Sequence, residues 1–338
     1  MIKTIKLFIT IVLVISVNSC KNSNYKQDSK QVENITYLRV NDSISLNSIF
    51  YPERWIINND SLWVINSRDS LFLKVFDLSN GDCILKWGNL GNGPNEYVSP
   101  GLIENFNGSG IGIYGNTEQR IVSYLLNNGT MTSEANYSLP SWHGNLPKPY
   151  TRISSFNDSI MAGTYFLPRT AGVDIFNKFT GEIIYEFIPN IGKNEEDMSG
   201  PFEFKIATTD SLMAIAYRYL DLIEFLPIDN YFTPENYISI GNYENQKRLY
   251  DEDRDDEMIK YFSDIQISGG YAYALYQGVQ EKNLSNAETK LKIYDLNDYK
   301  LVKTISLGRF FDQFLLRNNG EIILYSPEKE DYLFKLII

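Results

Sequence analysis

A polar turn followed by a short alternating strand recurs six times along the chain. It reads NDSLWVIN at 59–66, NGSGIGIYGN at 107–116 and NDSIMAGTY at 157–165. It returns as TDSLMAIAY at 209–217, GGYAYALYQG at 269–278 and NGEIILYS at 319–326. The period is about fifty residues, with one longer gap. A repeat of this kind means that each unit is one supersecondary piece, burying its faces against the units beside it.

Each unit continues into a strand, a turn and another strand. FLKVFDLSNGDCILKWG turns at Ser79-Asn80-Gly81, and VDIFNKFTGEIIYEF at Thr180-Gly181. LKIYDLNDYKLVKTISLG turns at Asn297-Asp298, and RIVSYLLNNGTMTSEANY at Asn127-Asn128-Gly129. Asn, Asp and Gly tolerate the positive φ that tight hairpins require. Four short strands per unit predict an all-β, six-bladed β-propeller of four-stranded blades. Composition agrees: 24 Tyr and 19 Phe stand among the 338 residues, and long amphipathic helical patterns are nearly absent. The last unit ends in DYLFKLII, with no room for an outer strand. An N-terminal strand, ITYLRV at 35–40, is therefore expected to join the C-terminal blade and close the ring, giving a propeller domain over 35–338.

The N-terminus, MIKTIKLFITIVLVISVNSC, has a basic start at Lys3 and Lys6 and an apolar run from Leu7 to Val17. That run is shorter than the roughly 20 residues a membrane span needs, so residues 1–19 read as a signal peptide. VNSC resembles the lipobox of bacterial lipoproteins, in the form with small polar residues typical of Bacteroidota-type bacteria. The resemblance implies that Cys20 is acylated, palmitate included, and becomes the mature N-terminus, so that the membrane is a partner through this anchor. Residues 20–34 are polar and aperiodic, and read as a flexible tether. Lys21 replaces the aspartate that retains lipoproteins in the inner membrane, which favours the outer membrane and leaves the leaflet open. With Cys20 lipidated, Cys83 has no disulfide partner. A net charge of −11, from 31 Lys and Arg against 42 Asp and Glu, argues against nucleic-acid binding.

The stretch GNGPNEYVSPGLIENFNGSGIGIYGNTEQRIVSY carries a more specific signal. Gly91, Gly93, Pro94, Glu96, Tyr97, Pro100, Arg120 and Ile121 fall on the NHL pattern, while Asn95 stands where that pattern more often has Gly. YFSDIQISGGYAYALYQG at 261–278 looks like a segment of the same proteins. The chain thus resembles the TolB-like or NHL-like six-bladed propeller lipoproteins of Bacteroidota-type bacteria. That resemblance implies a fold and a compartment, and it transfers no catalytic residue.

The glycines of WGNLGNGPNEY lack the lysine and the following helix of a phosphate-binding loop, so they read as a corner between blades, tied by Glu96. The run DEDRDDE at 251–257 alternates Asp251, Asp253 and Asp255, but Arg254 intervenes and no Gly supplies the sharp turn of a calcium loop. Met258, Ile259 and Phe262 follow at helical spacing, which predicts an insertion helix with a solvated acidic face. His143 is the only histidine, which rules out histidine-rich metal sites. Together with Trp142 it lies in a Pro- and Gly-rich loop, a place for ligand contact. Tyr165, Arg169, Tyr217, Arg218, Tyr219, Asp221, Tyr276 and Gln277 sit at blade junctions. They are further ligand-binding candidates, with the covering of strand ends as the competing role.

No catalytic residue and no metal ligand is assigned. The sequence points to a lipid-anchored envelope propeller that binds or scaffolds a glycan, a peptide or an envelope protein. A calcium-dependent hydrolase of lactonase type is the alternative, with calcium the one cofactor left open. A TolB-like component of an envelope complex is the second alternative.

Overall fold

The structure, a computed structural model, describes residues 25–26, 35–38, 40, 42–46, 52–93, 96–106, 110–142, 146–167, 170–189, 203–228, 237–242, 249, 252, 254–317 and 319–338. Blade one is Arg54–Asn58, Ser61–Ile65, Leu71–Asp77 and Cys83–Asn89; blade two is Pro100–Glu104, Ile111–Gly115, Arg120–Asn127 and Thr130–Ser138. Blade three is Tyr150–Ser155, Ile160–Leu167, Thr170–Asn177 and Ile183–Phe187; blade four is Phe204–Thr209, Leu212–Tyr217, Asp221–Pro227 and Ile238–Asn242. Blade five is Ile259–Ser268, Tyr271–Gln280, Lys290–Asp295 and Lys300–Ser306. Blade six is Gln313–Leu316, Glu321–Tyr325 and Tyr332–Ile337, completed by Asp42–Ser45 from the other end of the chain. Blades two and three are also joined at their inner strands, where Ile103 and Glu104 pair in parallel with Ile153 and Ser154.

Each recurring motif proves to be the second strand of its blade, and burial explains its apolar character. Ile111–Gly115, Leu212–Tyr217 and Glu321–Tyr325 are buried along their whole length, whereas the outer strand Thr130–Ser138 is mostly exposed. Apolar side chains on both faces meet those of the next blade in six clusters, one per blade interface. The cluster between blades six and one holds Leu333, Tyr325 and Ile44 against Trp55, Leu62 and Phe76, so the ring is closed by packing as well as by strand pairing. Such burial, at roughly 25 cal/mol per Å² of apolar surface, is the main force holding the ring.

Closure differs from expectation in one respect. Asp42–Ser45, not 35–40, is the strand that pairs antiparallel with Tyr332–Ile337. Ile35–Tyr37 instead runs parallel outside Lys300–Ser306, as a fifth strand on blade five. Tyr25–Lys26, within the polar stretch, likewise pairs with Ser239 and Ile240 on the outer edge of blade four. The insertion helix expected around 251–262 is also absent from the described residues: one 3-10 turn at Asp255–Glu257 leads directly into the inner strand Ile259–Ser268.

The glycine corner forms as the sequence predicts, although Pro94 and Asn95 lie outside the described residues. The Glu96 carboxylate accepts the Gly93 N–H at 2.8 Å, and the Glu118 carboxylate accepts that of Val98 at 2.8 Å. Arg120 lies 5.0 Å over the buried ring of Tyr97, whose hydroxyl meets that of Tyr124 at 3.0 Å. These contacts bind the end of blade one to the start of blade two.

Candidate functional site

The inner strands of a propeller converge on its axis, so residues near their starts face one another across the channel. Here those positions are charged. Arg54 opens the inner strand of blade one, Arg152 lies near the start of blade three's, Lys205 of blade four's and Lys260 of blade five's. The apolar residues beside them pack into the blade interfaces, which leaves the charged side chains the axis.

Arg152 spans the channel. Its Nε meets Glu104 of blade two at 2.5 Å, and its Nη1 meets Asp264 of blade five at 3.1 Å. Asp264 accepts the backbone N–H groups of Ile265 at 3.0 Å and Phe314 at 3.1 Å, which adds blade six to the plug. Burial lifts the Glu104 carboxyl above the ordinary carboxylate range, against the pull of Arg152. Beyond the plug, Asn105 of blade two donates to the Thr208 carbonyl of blade four at 3.1 Å, and Ser154 and Thr208 share a hydroxyl contact of 2.7 Å. Cross-links of this kind make the channel blind on that side.

On the other side of Arg152 lies a cavity of about 200 Å³. Arg54, Arg152, Lys205, Arg218 and Lys260 line it, against the acids Glu203 and Asp312. Lys260 meets Asp312 at 2.8 Å, and Arg218 meets Glu203 at 2.8 Å and Glu281 at 3.1 Å. Burial alone would raise Asp312, but Lys260, helped by Lys205 and Arg218, holds its carboxyl below the usual range.

Two cations have no such partner among the described residues. The Arg54 Nε donates to the Thr151 carbonyl at 2.7 Å and its Nη1 to the Glu53 carbonyl at 2.5 Å, with no carboxylate in ion-pair reach. Lys205 makes neither a hydrogen bond nor an ion pair there, and burial, then Arg152 and Arg54, push its ammonium down to about 8. The five cations thus face five carboxylates, Glu104, Asp264, Glu203, Glu281 and Asp312, in a dense charge network in which Arg54 and Lys205 are the cations outside direct ion-pair contact.

The sequence candidates fall in different places. Arg218 lines the cavity, and Tyr219, beside it, meets Glu281 through its hydroxyl at 3.3 Å. Tyr217 is fully buried with its hydroxyl donating to Glu224 at 2.6 Å, and Tyr165 is buried with its hydroxyl donating to Glu186 at 2.6 Å. Gln277 is buried and donates to Ser263 at 2.9 Å and to the Phe311 carbonyl at 3.1 Å. Tyr276 packs on Phe262 with Lys292 3.6 Å over its ring, and Asp221 opens the third strand of blade four. Trp142 pairs through its backbone with Leu146; its side chain, His143 and Arg169 lie outside the described residues, as does Cys20.

The residues that sequence reasoning missed are Arg54, Arg152, Lys205 and Lys260. Their signal was present as one basic residue among apolar ones in PERWII, YTRISS, FEFKIA and MIKYFS. It emerges only when the first strands, rather than the more regular second strands, are set side by side.

Comparison with known proteins agrees with this architecture. A family model described as 6-bladed beta-propeller (DUF5128) matches residues 11–169, which take in blades one and two and the first half of blade three. No curated protein sequence matches the chain. Among solved structures, a Bacteroides fragilis protein described as exported is 12% identical, with a TM-score of 0.54 over 90% of this chain and 99% of that one. The calcium-binding protein regucalcin from Agrobacterium tumefaciens is 10% identical, with a TM-score of 0.52 over 89% of this chain and 95% of that one. At these identities the likeness is one of fold. The chain is an all-β, six-bladed propeller.

Proposed function

We propose that this propeller is a lipid-anchored binding module of the cell envelope, held at the outer membrane through Cys20, which grips its ligand at the charged mouth of the blind channel. The observation that carries the reading is the pair Arg54 and Lys205, two cations with no carboxylate within ion-pair distance among the described residues, in a cavity walled by five blades. A rigid ring that keeps buried cations out of direct ion pairs carries a standing cost, which a polar or charged ligand reaching them relieves. The ligand is a charged unit of a glycan, a peptide or an envelope protein. A calcium-dependent hydrolase draws less support, because Glu104 and Asp264 are both drawn to Arg152 rather than turned toward a shared centre.

Hydrogen exchange on the full-length lipoprotein in detergent, with and without an extract of envelope glycans and peptides, tests this reading. The expected result is protection of the segments 203–205 and 260–263 at the mouth. Unchanged exchange around the mouth with every fraction would overturn it.

A further inference from the structure

We infer that the rim of blade three is a membrane contact, seated on the bilayer through Phe179, Ile183, Ile184 and Ile188. The inference rests on the proposed lipid anchor at Cys20, and it adds the edge that the anchored ring presents to the lipid.

The repeat isolates the feature. The third and outer strands of blades one, three and five are joined by the same turn and carry the same bulge. Ile84, Ile184 and Val302 are the residues skipped between paired neighbours. At such a bulge two outer residues stand against one, the alternation lapses, and the extra side chain is turned to solvent. All three are accordingly exposed.

What differs is the company each keeps. At the turn, Phe179 stands where the other two blades have Ser79 and Asn297, and each of the three donates its N–H to the side chain two residues back. Beside the bulge, Ile183 corresponds to Cys83 and Leu301, and Ile188 to Gly88 and Ser306. Of the three blades, blade three alone carries a large apolar residue at all four places. Phe179 is 58% exposed although its ring meets Tyr137 of blade two edge-on at 5.5 Å. Ile183, Ile184 and Ile188 are exposed as well. Apolar surface left in water adds nothing to folding, and gathered on one edge it marks a contact.

The neighbouring blades give the occupant. The outer edges of blades four and five are covered by Tyr25–Lys26 and Ile35–Tyr37. Blade three lies on the other side of blade four, and its outer strand Ile183–Phe187 has no added strand among the described residues. Four residues separate Tyr25 from Cys20, so an acylated Cys20 would lie by the rim of blade four, next to this patch. A turn tip and a bulged edge make a convex surface, which suits the plane of a bilayer. Glu186, the acid between Ile184 and Ile188, is held by Lys148 at 3.0 Å and by the Tyr165 hydroxyl at 2.6 Å. With a net charge of −11 and Glu182 beside Ile183, burial of apolar groups drives the contact, not attraction to anionic lipid. Four side chains at the headgroup boundary orient a ring that the acyl chains already hold, and are too few to hold it alone.

Fluorescence quenching of the full-length lipoprotein in phosphatidylcholine vesicles tests this. Phe179→Trp places a reporter in the patch, and Ile84→Trp places one at the matching bulge of blade one, across the ring from blade four. With acyl chains brominated near the headgroup, the emission added by Phe179→Trp should fall by about half, while that added by Ile84→Trp stays as in plain lipid. Adding Ile183→Ser and Ile184→Ser to Phe179→Trp should cut the quenching about twofold or more. Flotation with the vesicles without quenching of Phe179→Trp would overturn the rim contact and leave the anchor standing. Equal quenching of both reporters would overturn it too, because the ring would then have no preferred edge. A Phe179→Trp reporter shielded from both bromine and aqueous iodide would make the patch a contact between copies and reject the bilayer. A protein that does not float at all would remove the anchor, and this inference with it.

Discussion

Two lysines show how burial acquires opposite signs from its neighbours. Lys148 is 4% exposed, and its ammonium sits 2.8 Å from Asp174 and 3.0 Å from Glu186. Asp174 also accepts the Tyr150 hydroxyl at 2.5 Å. Lys148→Met would strand Asp174, which is wholly buried, so we expect a loss of about 3 kcal/mol in urea denaturation at neutral pH. Lys205 has no carboxylate within ion-pair distance, and burial with Arg152 and Arg54 outweighs the pull of Asp264 and Glu203, so its removal should do the reverse. Its folded pKa of about 8 lies below the ordinary 10.5, so between those values the unfolded chain keeps a proton that the folded one has lost. The destabilisation is therefore full below about pH 8 and fades as pH rises toward 10.5. Lys205→Met should gain about 1–2 kcal/mol at pH 7 and progressively less above pH 8. A variant no more stable than the parent at pH 7 would show that the ammonium is solvated after all. Neither outcome was legible in the sequence, because FEFKIA and NLPKPY each show only a lysine among apolar neighbours. What separates the two lysines is the set of carboxylates brought in by other strands.

Among the elements, the second strands and their turns could be read because their constraints are local. The Asp77, Asn177 and Asp295 side chains each accept the N–H two residues on, at 2.7, 2.9 and 2.8 Å, in the same turn of blades one, three and five. Edges were harder. An outer strand lies at the rim with little to bury: of Asp42–Ser45 only Ile44 is buried, whereas the more apolar-looking 35–40 holds Tyr37 at 74% exposure. The missing outer strand of the last unit points to an N-terminal strand, but the one that closes the ring is Asp42–Ser45, one strand further on than 35–40. The inner strand of blade five misleads for another reason. Its pairing with the next strand slips at Lys260/Phe262 and again at Phe262/Asp264, and these two bulges break the period of two so that 258, 259 and 262 mimic a helix. The same bulges bring Lys260, Phe262 and Ser263 to the cavity and Asp264 to the plug. Gly81 tests the closure directly. Its φ is +82°, and a Cβ there would stand 2.0 Å from the Ser45 carbonyl oxygen of the closing strand. Gly81→Ala should cost about 2–3 kcal/mol, with early loss of protection at 42–45 and 332–337 in hydrogen exchange. A variant as stable as the parent would mean that Asp42–Ser45 contributes little to holding the ring shut.

For the whole molecule, the path of the N-terminal segment decides how a ring tied at Cys20 would stand on a bilayer. The chain meets the rim of blade four at Tyr25–Lys26, then blade five at Ile35–Tyr37, and closes blade six at Asp42–Ser45. Four residues separate Cys20 from Tyr25 in the sequence, and even fully extended the five steps between them reach only about 17 Å. A lipid on Cys20, as proposed, would therefore hold the edge of blade four close to the headgroups. The ring would then stand on its rim, with the blind side and the open mouth of the channel both facing away from the lipid plane. An edge-on ring needs no long tether to keep the cavity reachable, which reconciles a short leash with a binding role. It also separates the anchor from the site. Cys20→Ala should abolish palmitate incorporation and release the protein from membranes into the soluble fraction. Its melting temperature and its response to envelope extract at 203–205 and 260–263 should stay at the parent's values, because the blade interfaces and the cavity lining are built from residues of the ring. A variant that still fractionates with membranes would remove the lipid anchor. One that is released but loses that response would instead tie the channel mouth to the membrane surface and reject the edge-on arrangement.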